Sequence, residues 1–358
     1  MHQKHLRTVT AAGLATVLMM SPATAIFGQD LPQTHIKTVG GATYMHQRGM
    51  VEIPFFTKTL PEQSKGKVTV DLIPYDTVGL GGTEILRLMK IGAIEFSRGD
   101  LIVVSNDEPR FDGGDLAGIA QSMDEMRRNA EAYREVIANI FAKNWNSKLL
   151  LLSVNPPQVV WCNASIKGLA DLKGLKVRVS AKTVADFIQG VGATPVLMPS
   201  SEVIQALERK VVDCAVTGTT TGNSAKWAEI ATHLYPIYLG WAIQFWAVNN
   251  DSWDRLDKKV QEFLTTQFKS LEQQLWDLAK VAETQGINCS TGRGECTLSG
   301  LNKYKMALVP VTDEDKATAR RIVAEYVVPN WAKRCGKGCA EEWNKTIGPL
   351  YNLTAPVQ

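Results

Sequence analysis

One stretch of the chain, residues 169–218, constrains the fold more than any other (LADLKGLKVRVSAKTVADFIQGVGATPVLMPSSEVIQALERKVVDCAVTG). Its apolar pattern, with Gly and Pro at the joints, predicts a strand at 175–179, a helix to Gln189, a strand at 194–198, a helix at 202–208 and a strand into Val216. Two strand–helix–strand crossovers in succession make the three strands parallel neighbours in one sheet. The predicted fold class is therefore α/β.

Arg178 is the charged residue of the first of these strands and lies between Val177 and Val179. A lone guanidinium between apolar neighbours lies either on a solvated face, where it forms a surface ion pair, or at a strand end that faces a cleft. Ligands of open α/β sheets bind at the carboxyl ends of the strands. We therefore expect Arg178 to face a cleft.

A short repeat indicates that the chain uses the same unit twice. Residues 84–95 and 202–213 both set two acidic residues eleven positions apart around a helix, a tight turn and the start of a strand. With 358 residues the chain is long enough for two lobes of ordinary domain size. The repeat thus favours two similar α/β lobes with a crevice between them, and chance similarity between two amphipathic helices is the alternative.

The amino terminus has the pattern of an export signal. Lys4 and Arg7 precede an apolar run at 11–20, and Ala23-Thr24-Ala25 offers a small-x-small cleavage site. The run of about ten apolar residues is well short of the ~20 needed to span a bilayer, which argues against the alternative of an uncleaved anchor helix. We expect residues 1–25 to be a signal peptide.

Two segments read as crossings between the lobes. Asn155-Pro156-Pro157 interrupts a buried extended segment, and a double proline is not tolerated in a sheet interior. Residues 237–250 are extended and aromatic. A helix predicted at 254–285 would be about 48 Å long at 1.5 Å per residue, long enough to span both lobes. We expect these boundaries: lobe I at 26–154, joined by about 246–285, and lobe II at 155–245, joined by about 286–358.

Charge and cysteine content narrow the functional classes. Without Lys4 and Arg7 the chain has 37 basic and 36 acidic residues, and no basic block remains to hold nucleic acid or an anionic membrane. Six cysteines fit an oxidising compartment. Two local pairs are indicated, Cys289 with Cys296 and Cys335 with Cys339, while Cys162 and Cys214 lie in apolar strands and read as buried small hydrophobic residues.

Catalytic and cofactor signatures are missing from the sequence. His35, His46 and His233 are the histidines after the signal, and none stands at metal-ligand spacing from Cys, Asp or Glu. Gly81-Gly82 matches neither the Walker pattern nor a dinucleotide fingerprint, and no nucleophile elbow or zinc-protease motif is present. We expect no metal, no cofactor and no enzymatic activity.

An ordered set of short motifs begins at residues 171–179 (DLKGLKVRV). It continues through residues 192–196 (GATPV), 198–199, 202–203, 206–207 and 212–213, back to 66–68 and 92–95, and forward to 248–249, Trp253 and Leu256. In these motifs the chain resembles the solute-binding proteins of TRAP transporters, the tripartite ATP-independent periplasmic uptake systems. The resemblance covers nearly the whole mature chain in order, although no single motif is specific.

This resemblance implies a two-lobed, periplasmic-binding-protein-like fold with a long helix spanning both lobes. It also implies a periplasmic receptor that closes on a small organic acid and delivers it to a membrane permease. A binding protein for an ATP-driven transporter or a sensor is the nearest alternative, and a secreted enzyme is a more distant one. Whether the receptor is a monomer or a homodimer, and whether a cation assists binding, stays open.

The resemblance also assigns roles to single residues. The arginine with which the family grips the ligand carboxylate falls on Arg178, whose planar fork can donate two parallel hydrogen bonds. Gln158 stands where several relatives carry a second arginine, and Thr217 where asparagine is frequent. Cys214 replaces the usual glycine, and Val216 a common acid. These departures remove charge and polarity from the expected pocket.

A pocket with less charge suggests a ligand with one carboxylate and an apolar or aromatic body. Three tryptophans are candidates to contact such a body, namely Trp161, Trp241 and Trp246, although core packing is the default for any one of them. A C4-dicarboxylate is the alternative ligand.

Overall fold

The computed structural model describes residues 31–43, 45–80, 83–105 and 107–357, so the expected signal peptide at 1–25 lies outside the described residues. The strands are β1 Thr34–Gly40, β2 Val68–Pro74, β3 Phe96–Asp100, β4 Ser147–Val154, β5 Gln158–Cys162, β6 Lys176–Val179, β7 Thr194–Leu197, β8 Cys214–Gly218, β9 His233–Tyr235, β10 Ile243–Asn249 and β11 Ala307–Leu308.

Helices surround these strands, and several begin at side-chain caps. They are α1 Leu60–Gln63, α2 Thr83–Lys90, α3 Leu101–Val104, α4 Met123–Trp145, α5 Lys182–Val191, α6 Val203–Glu208, α7 Thr219–Ser224, α8 Asn250–Asp254, α9 Lys258–Thr291, α10 Asp313–Ile322, α11 Val328–Cys335, α12 Lys337–Thr346 and α13 Gly348–Tyr351. Ser122 caps α4, and Thr312 and Asp315 form a capping box at α10. No helix of the described chain is both long and apolar enough to cross a membrane.

The strands form two sheets of closely similar order. The first sheet runs β2-β1-β3-β10-β4 and the second runs β11-β9-β5-β8-β6-β7. In each sheet three parallel strands adjoin an antiparallel strand, which is β10 in the first and β5 in the second. We refer to the parts built on the first and second sheets as lobe I and lobe II. The predicted parallel arrangement of β6, β7 and β8 is confirmed.

The repeated sequence unit takes equivalent positions in the two sheets. Helix α2 leads into β3 in lobe I, and α6 leads into β8 in lobe II. Each of these strands lies between a parallel neighbour and the antiparallel strand of its sheet. The two lobes are therefore built on one plan, and the chain crosses between them at residues 155–157 and 236–242.

Helix α9 spans both lobes. Its first half packs Phe263, Leu264 and Phe268 into the lobe I core. Near its other end Asn223 of α7 donates to the Ser290 hydroxyl, and a Cβ at Gly286 would lie 2.5 Å from the Thr219 hydroxyl oxygen, so the two helices touch closely. The expected spine helix is present and begins at Lys258.

Three hydrophobic clusters hold the molecule together. One lies in lobe I around Trp246 and Phe268, and one lies in lobe II around Trp161 and Trp227. The third and largest joins residues of both sheets to the second crossing, and it includes Trp241. The lobes thus share a core in addition to having one each.

The carboxyl-terminal helices contact both lobes. The Trp331 indole of α11 donates to the carbonyl of Pro109 at 2.9 Å in lobe I. Arg334 of the same helix pairs with Asp186 of α5 in lobe II. The residue boundaries that the sequence indicates for the two lobes stay a prediction.

Local pattern predicts four features that the structure does not show. Threonine and glycine at 218–223 favour a loop, but Thr219–Ser224 form α7. A helix is predicted at 227–233, but only a short 3-10 turn lies at Trp227–Glu229 and β9 begins at His233. The strand predicted at 93–96 begins only at Phe96. Pro329 is predicted to end a helix, but α10, a π-helical turn at Val323–Val327 and α11 follow one another without a break, so the helix continues through the proline.

All six cysteines are paired. Cys289–Cys296 and Cys335–Cys339 are confirmed. Cys162 and Cys214 are buried, as predicted, but a disulfide between them was not predicted: they are directly opposite each other on β5 and β8 and form a third disulfide with a Cα–Cα distance of 4.0 Å. Sequence alone gave no register between these strands, so nothing indicated that the two positions meet.

Candidate functional site

The carboxyl ends of the parallel strands in the two lobes face each other. His46 follows β1 in lobe I, and its Nε2 lies 3.0 Å from the Ser224 hydroxyl of α7 in lobe II. Gln47 donates to the Asn155 side chain in the first crossing at 3.1 Å. The crevice predicted between the strand ends therefore exists, and the lobes are in contact across it.

Arg178 lies near the carboxyl end of β6 and is 3% exposed. Its Nε donates to the carbonyl of Met198 and its Nη1 to that of Val216, both at 2.9 Å. The guanidinium carbon is 5.6 Å from the centre of the Trp227 ring. These contacts fix the guanidinium beside the ends of β7 and β8, and they leave its Nη2 without a hydrogen-bond partner among the described residues.

The three buried arginines of the described chain differ in their counter-charges. Arg98 pairs with Asp100 at 3.0 Å and lies 3.8 Å from Glu52, which also acts electrostatically on Arg48. Burial lowers the pKa of Arg178 to about 10, and no carboxylate offsets it. Arg178 is thus a buried cation without a described counter-ion, which is costly in a folded protein.

Strand register shows which predicted residues share a face with Arg178. Arg178 is opposite Ala215 on β8, and Ala215 is opposite Trp161 on β5, so these side chains lie on one face of the sheet. Thr217, two residues after Ala215, lies on the same face and is partly buried. Gln158, three residues before Trp161, lies on the opposite face.

Gln158 has an unusual environment on that opposite face. It is 7% exposed, and its Nε2 is buried without a hydrogen-bond partner among the described residues. This nitrogen lies 3.2 Å from where a Cβ on Gly240 would be, and Asp115 lies within 3.6 Å of the same point. Gln158 therefore faces the second crossing rather than the Arg178 side chain.

The predicted tryptophans belong to three separate cores. Trp161 and Trp246 are at most 1% exposed in lobe II and lobe I respectively, and Trp241 is fully buried in the shared cluster, where it donates to the Ala120 carbonyl. They do not line one pocket. Trp227, which the sequence analysis did not single out, is the ring beside Arg178, and its indole nitrogen has no hydrogen-bond partner among the described residues.

Lobe I contributes a buried polar network to the crevice. Glu52 accepts from the Gly41 amide at 2.8 Å, and burial raises its pKa despite the nearby Arg98. Asp100 accepts from Arg98 and from the amide of Asn155. Arg98 and Asp100 are thus paired within lobe I and tied to the first crossing.

The second crossing is fixed by a buried carboxylate. Asp115 accepts from the Trp241 and Ala242 amides, each at 2.8 Å. Burial raises the pKa of Asp115 to about 7, although these hydrogen bonds oppose the rise. Both crossings are therefore anchored to lobe I by polar side chains.

Two cavities lie between the lobes. An outer one of about 670 Å³ is lined by Thr43, Met45, His46, Arg48, Gly49, Met50, Ile53, Ser224, Ser299 and Gly300. An inner one of about 20 Å³ is lined by His46, Gln47, Val154, Pro156, Thr220, Gln244, Leu275, Leu278, Ala279 and Ala282. None of the six predicted site residues lines either cavity. No group of His, Cys, Asp or Glu in the described ranges could hold a metal ion.

Sequence reasoning missed several crevice residues for identifiable reasons. His46 and Gln47 follow β1 in a segment without a motif, and their role depends on contacts with the other lobe. Arg98 and Asp100 both lie in the last part of β3, next to the crevice, and this position at a strand end could have indicated them. Asn155 was flagged only as part of the first crossing.

Comparisons with known proteins agree with this architecture. The family model for bacterial extracellular solute-binding protein, family 7, matches residues 49–330. The sialic acid-binding periplasmic protein SiaP of Vibrio cholerae is 22% identical over 86% of this chain and 95% of its own length. The C4-dicarboxylate-binding periplasmic protein DctP of Rhodobacter capsulatus is 24% identical over 76% of this chain and 83% of its own length.

Solved structures share the fold. A TRAP periplasmic solute binding protein from Ochrobactrum anthropi superposes with a TM-score of 0.77 at 17% identity, over 90% of this chain and 97% of that one. A Bordetella pertussis extracytoplasmic solute receptor binding pyroglutamic acid gives 0.70 at 18% identity, over 87% and 98%. The chain therefore belongs to family 7 of the bacterial extracellular solute-binding proteins, the periplasmic receptors of TRAP transporters, which bind small organic acids, work with a membrane permease and are not enzymes.

Proposed function

We propose that this receptor binds an organic acid with a single carboxylate, and that Arg178 is the group that holds the carboxylate. The observation that carries the proposal is the lack of a counter-ion for this buried guanidinium. Nη2 of Arg178 has no described acceptor, and neither has the indole nitrogen of Trp227, whose ring centre lies 5.6 Å from the guanidinium carbon. A carboxylate supplies both the charge and the acceptor oxygens.

The surroundings of the other buried arginines favour one carboxylate rather than two. Arg98 is already paired with Asp100, and Arg48 donates to the carbonyls of Gly41 and Leu72 close to Glu52. Gln158 is uncharged and faces the second crossing rather than Arg178. A second carboxylate would therefore have to compete with Glu52 for Arg48 or be desolvated without a matching charge.

The rest of the ligand meets a mixed surface. Trp227 supplies an aromatic face, Thr217 a hydroxyl, and the first crossing the side-chain amide of Asn155. Relatives are named for sialic acid and C4-dicarboxylates, and solved structures of this fold for pyroglutamic acid and L-gulonate. We favour a monocarboxylate with an apolar or aromatic body, and a C4-dicarboxylate is the alternative.

Binding and closure follow from this arrangement. With the lobes apart, the crevice side of β6 is accessible and the acid meets Arg178 in lobe II. Rotation of lobe I about the crossings at 155–157 and 236–242 then covers the ion pair and removes water from it. Lower local dielectric strengthens the pair once the lobes have closed.

A thermal-shift panel identifies the ligand class. It contains pyroglutamate, L-gulonate, orotate, benzoate, sialic acid and succinate, because a ligand that binds only the folded receptor raises its melting temperature. We expect the largest rise with a monocarboxylate. A larger rise with succinate than with every monocarboxylate contradicts the proposed class.

Calorimetry on Arg178→Ala with the best acid of that panel tests the anchor. We expect affinity to fall by at least about 100-fold, because the carboxylate would be buried without its partner. Arg255→Ala is the matched control, since Arg255 is exposed and pairs with Glu95 on the surface. Unchanged affinity in Arg178→Ala would rule Arg178 out as the anchor.

A further inference from the structure

His46 makes the direct contact between the strand-end segments of the two lobes. Its Nε2 lies 3.0 Å from the Ser224 hydroxyl, which in turn donates to the Gly300 carbonyl at 3.2 Å. The imidazole also forms a hydrogen bond with the backbone of Ser299. One side chain of lobe I thus binds two separate segments of lobe II.

The same side chain separates the two interlobe cavities. Of the residues that line them, His46 alone lines both the outer cavity of about 670 Å³ and the inner cavity of about 20 Å³. The inner one has room for about one water molecule. The imidazole therefore stands between the outer opening and the space next to the first crossing.

The surface that receives His46 is rigid. The Cys289–Cys296 disulfide closes the turn after α9, and Gln285 accepts from the amides of Thr297 and Leu298. Gly300 has φ +82°, and a Cβ there would lie 3.0 Å from the His46 ring. Only glycine suits that position, because it adopts this backbone conformation freely and leaves room for the imidazole.

We propose that His46 is the gating residue of the crevice, which holds the closed lobes together and must swing away before a bound acid can leave. This inference rests on the proposed function only in placing the acid within the crevice. In this proposal the segment between α9 and β11, with its disulfide, is the rigid surface that His46 contacts when the gate is shut.

The charge state of His46 makes the gate sensitive to acid. Burial lowers the pKa of His46 in the closed form by more than the hydrogen bond to Ser299 raises it. Arg48 is the one other charged side chain that lines either cavity. In the open form His46 has the ordinary histidine pKa of about 6.5. The equilibrium constant for closure is therefore up to about tenfold smaller at pH 5.5 than at pH 7.5.

Stopped-flow release of the best panel acid tests the gate. We expect His46→Ala to release the acid about tenfold faster than the wild type, and Ser224→Ala to give a smaller increase in the same direction. His46→Gln retains a hydrogen bond but does not titrate, so its affinity should fall less between pH 7.5 and pH 5.5 than that of the wild type. Met50→Ala, which changes an exposed side chain of the outer cavity, is the control.

A second experiment needs no ligand. The paired changes His46→Cys and Ser224→Cys allow a short thiol crosslinker such as dibromobimane to join the lobes in the closed form. We expect crosslinking in the free receptor and equally in the Arg178→Ala background, which separates the gate from the anchor. Absence of crosslinking, or unchanged release from His46→Ala, overturns the gate whatever the outcome for Arg178.

Discussion

Replacement of two buried arginines, one in each lobe, should change the stability of the protein by different amounts. Arg178 has no described carboxylate partner, whereas Arg98 lies between Asp100 and Glu52. Methionine is the matched replacement, since it retains much of the length and apolar bulk of the side chain. We compare the effects of Arg178→Met and Arg98→Met on the free energy of unfolding.

The magnitude for Arg178 follows from its pKa and its contacts. The fall in the pKa of Arg178 to about 10 means that burial of the charge costs roughly 3 kcal/mol in the free protein. Removing the guanidinium recovers that cost but leaves the carbonyls of Met198 and Val216 without a donor, at about 1 kcal/mol each. It also loses the contact with Trp227, worth about 0.5–1 kcal/mol. These contributions nearly cancel, so we expect a change within about 1 kcal/mol.

The expectation for Arg98 is different. Its removal leaves two acids of lobe I without their cation, which typically costs about 3–5 kcal/mol. Urea unfolding at pH 7.5, followed by circular dichroism, measures both variants. Equal destabilisation by Arg178→Met and Arg98→Met would refute the view that the buried charge of Arg178 destabilises the free protein.

Two further predictions concern stability. Burial raises the pKa of Asp112 and Asp115 to about 7, so between pH 7 and pH 4 the folded form takes up protons that the unfolded chain does not. The free energy of unfolding should therefore increase as the pH falls from about 7 towards 4. Asp115→Asn should weaken this pH dependence in melting curves recorded across that range. The disulfide between Cys162 and Cys214 closes a loop of 52 residues, so replacing both by alanine should cost about 4 kcal/mol in urea unfolding, and a loss below about 1 kcal/mol would contradict that expectation.

Local pattern was enough to predict the parts of the fold that depend on one segment. The bounds expected for β6 and β7 are within one residue of those observed, because their apolar pattern is regular and glycine or proline lies next to their ends. The segment after β8 was mistaken for a loop because threonine and glycine favour turns in isolation. In the fold Gly222 is required, since a Cβ there would lie 2.5 Å from the Trp161 ring.

The site was less accessible from the sequence, because its residues meet only across the lobes. Arg178 could be selected because one strand carries it between two valines, but its partners Met198 and Val216 are backbone carbonyls, which leave no trace in composition. The contact of His46 with Ser224 joins positions 178 residues apart. Side-chain identity at either position predicts nothing until the register of both sheets is known.

The unequal treatment of charge in the two lobes indicates an order of events in binding. Lobe I pairs Arg98 with Asp100, ties this pair to the first crossing and holds Arg48 close to Glu52, so its buried cations already have acids nearby. Lobe II leaves Arg178 without a counter-ion, so in the proposed receptor an acid gains more free energy by meeting lobe II first. Lobe I then contributes enclosure rather than charge, and His46 lies where enclosure is completed. Affinity would thus depend on Arg178, and the lifetime of the complex on His46.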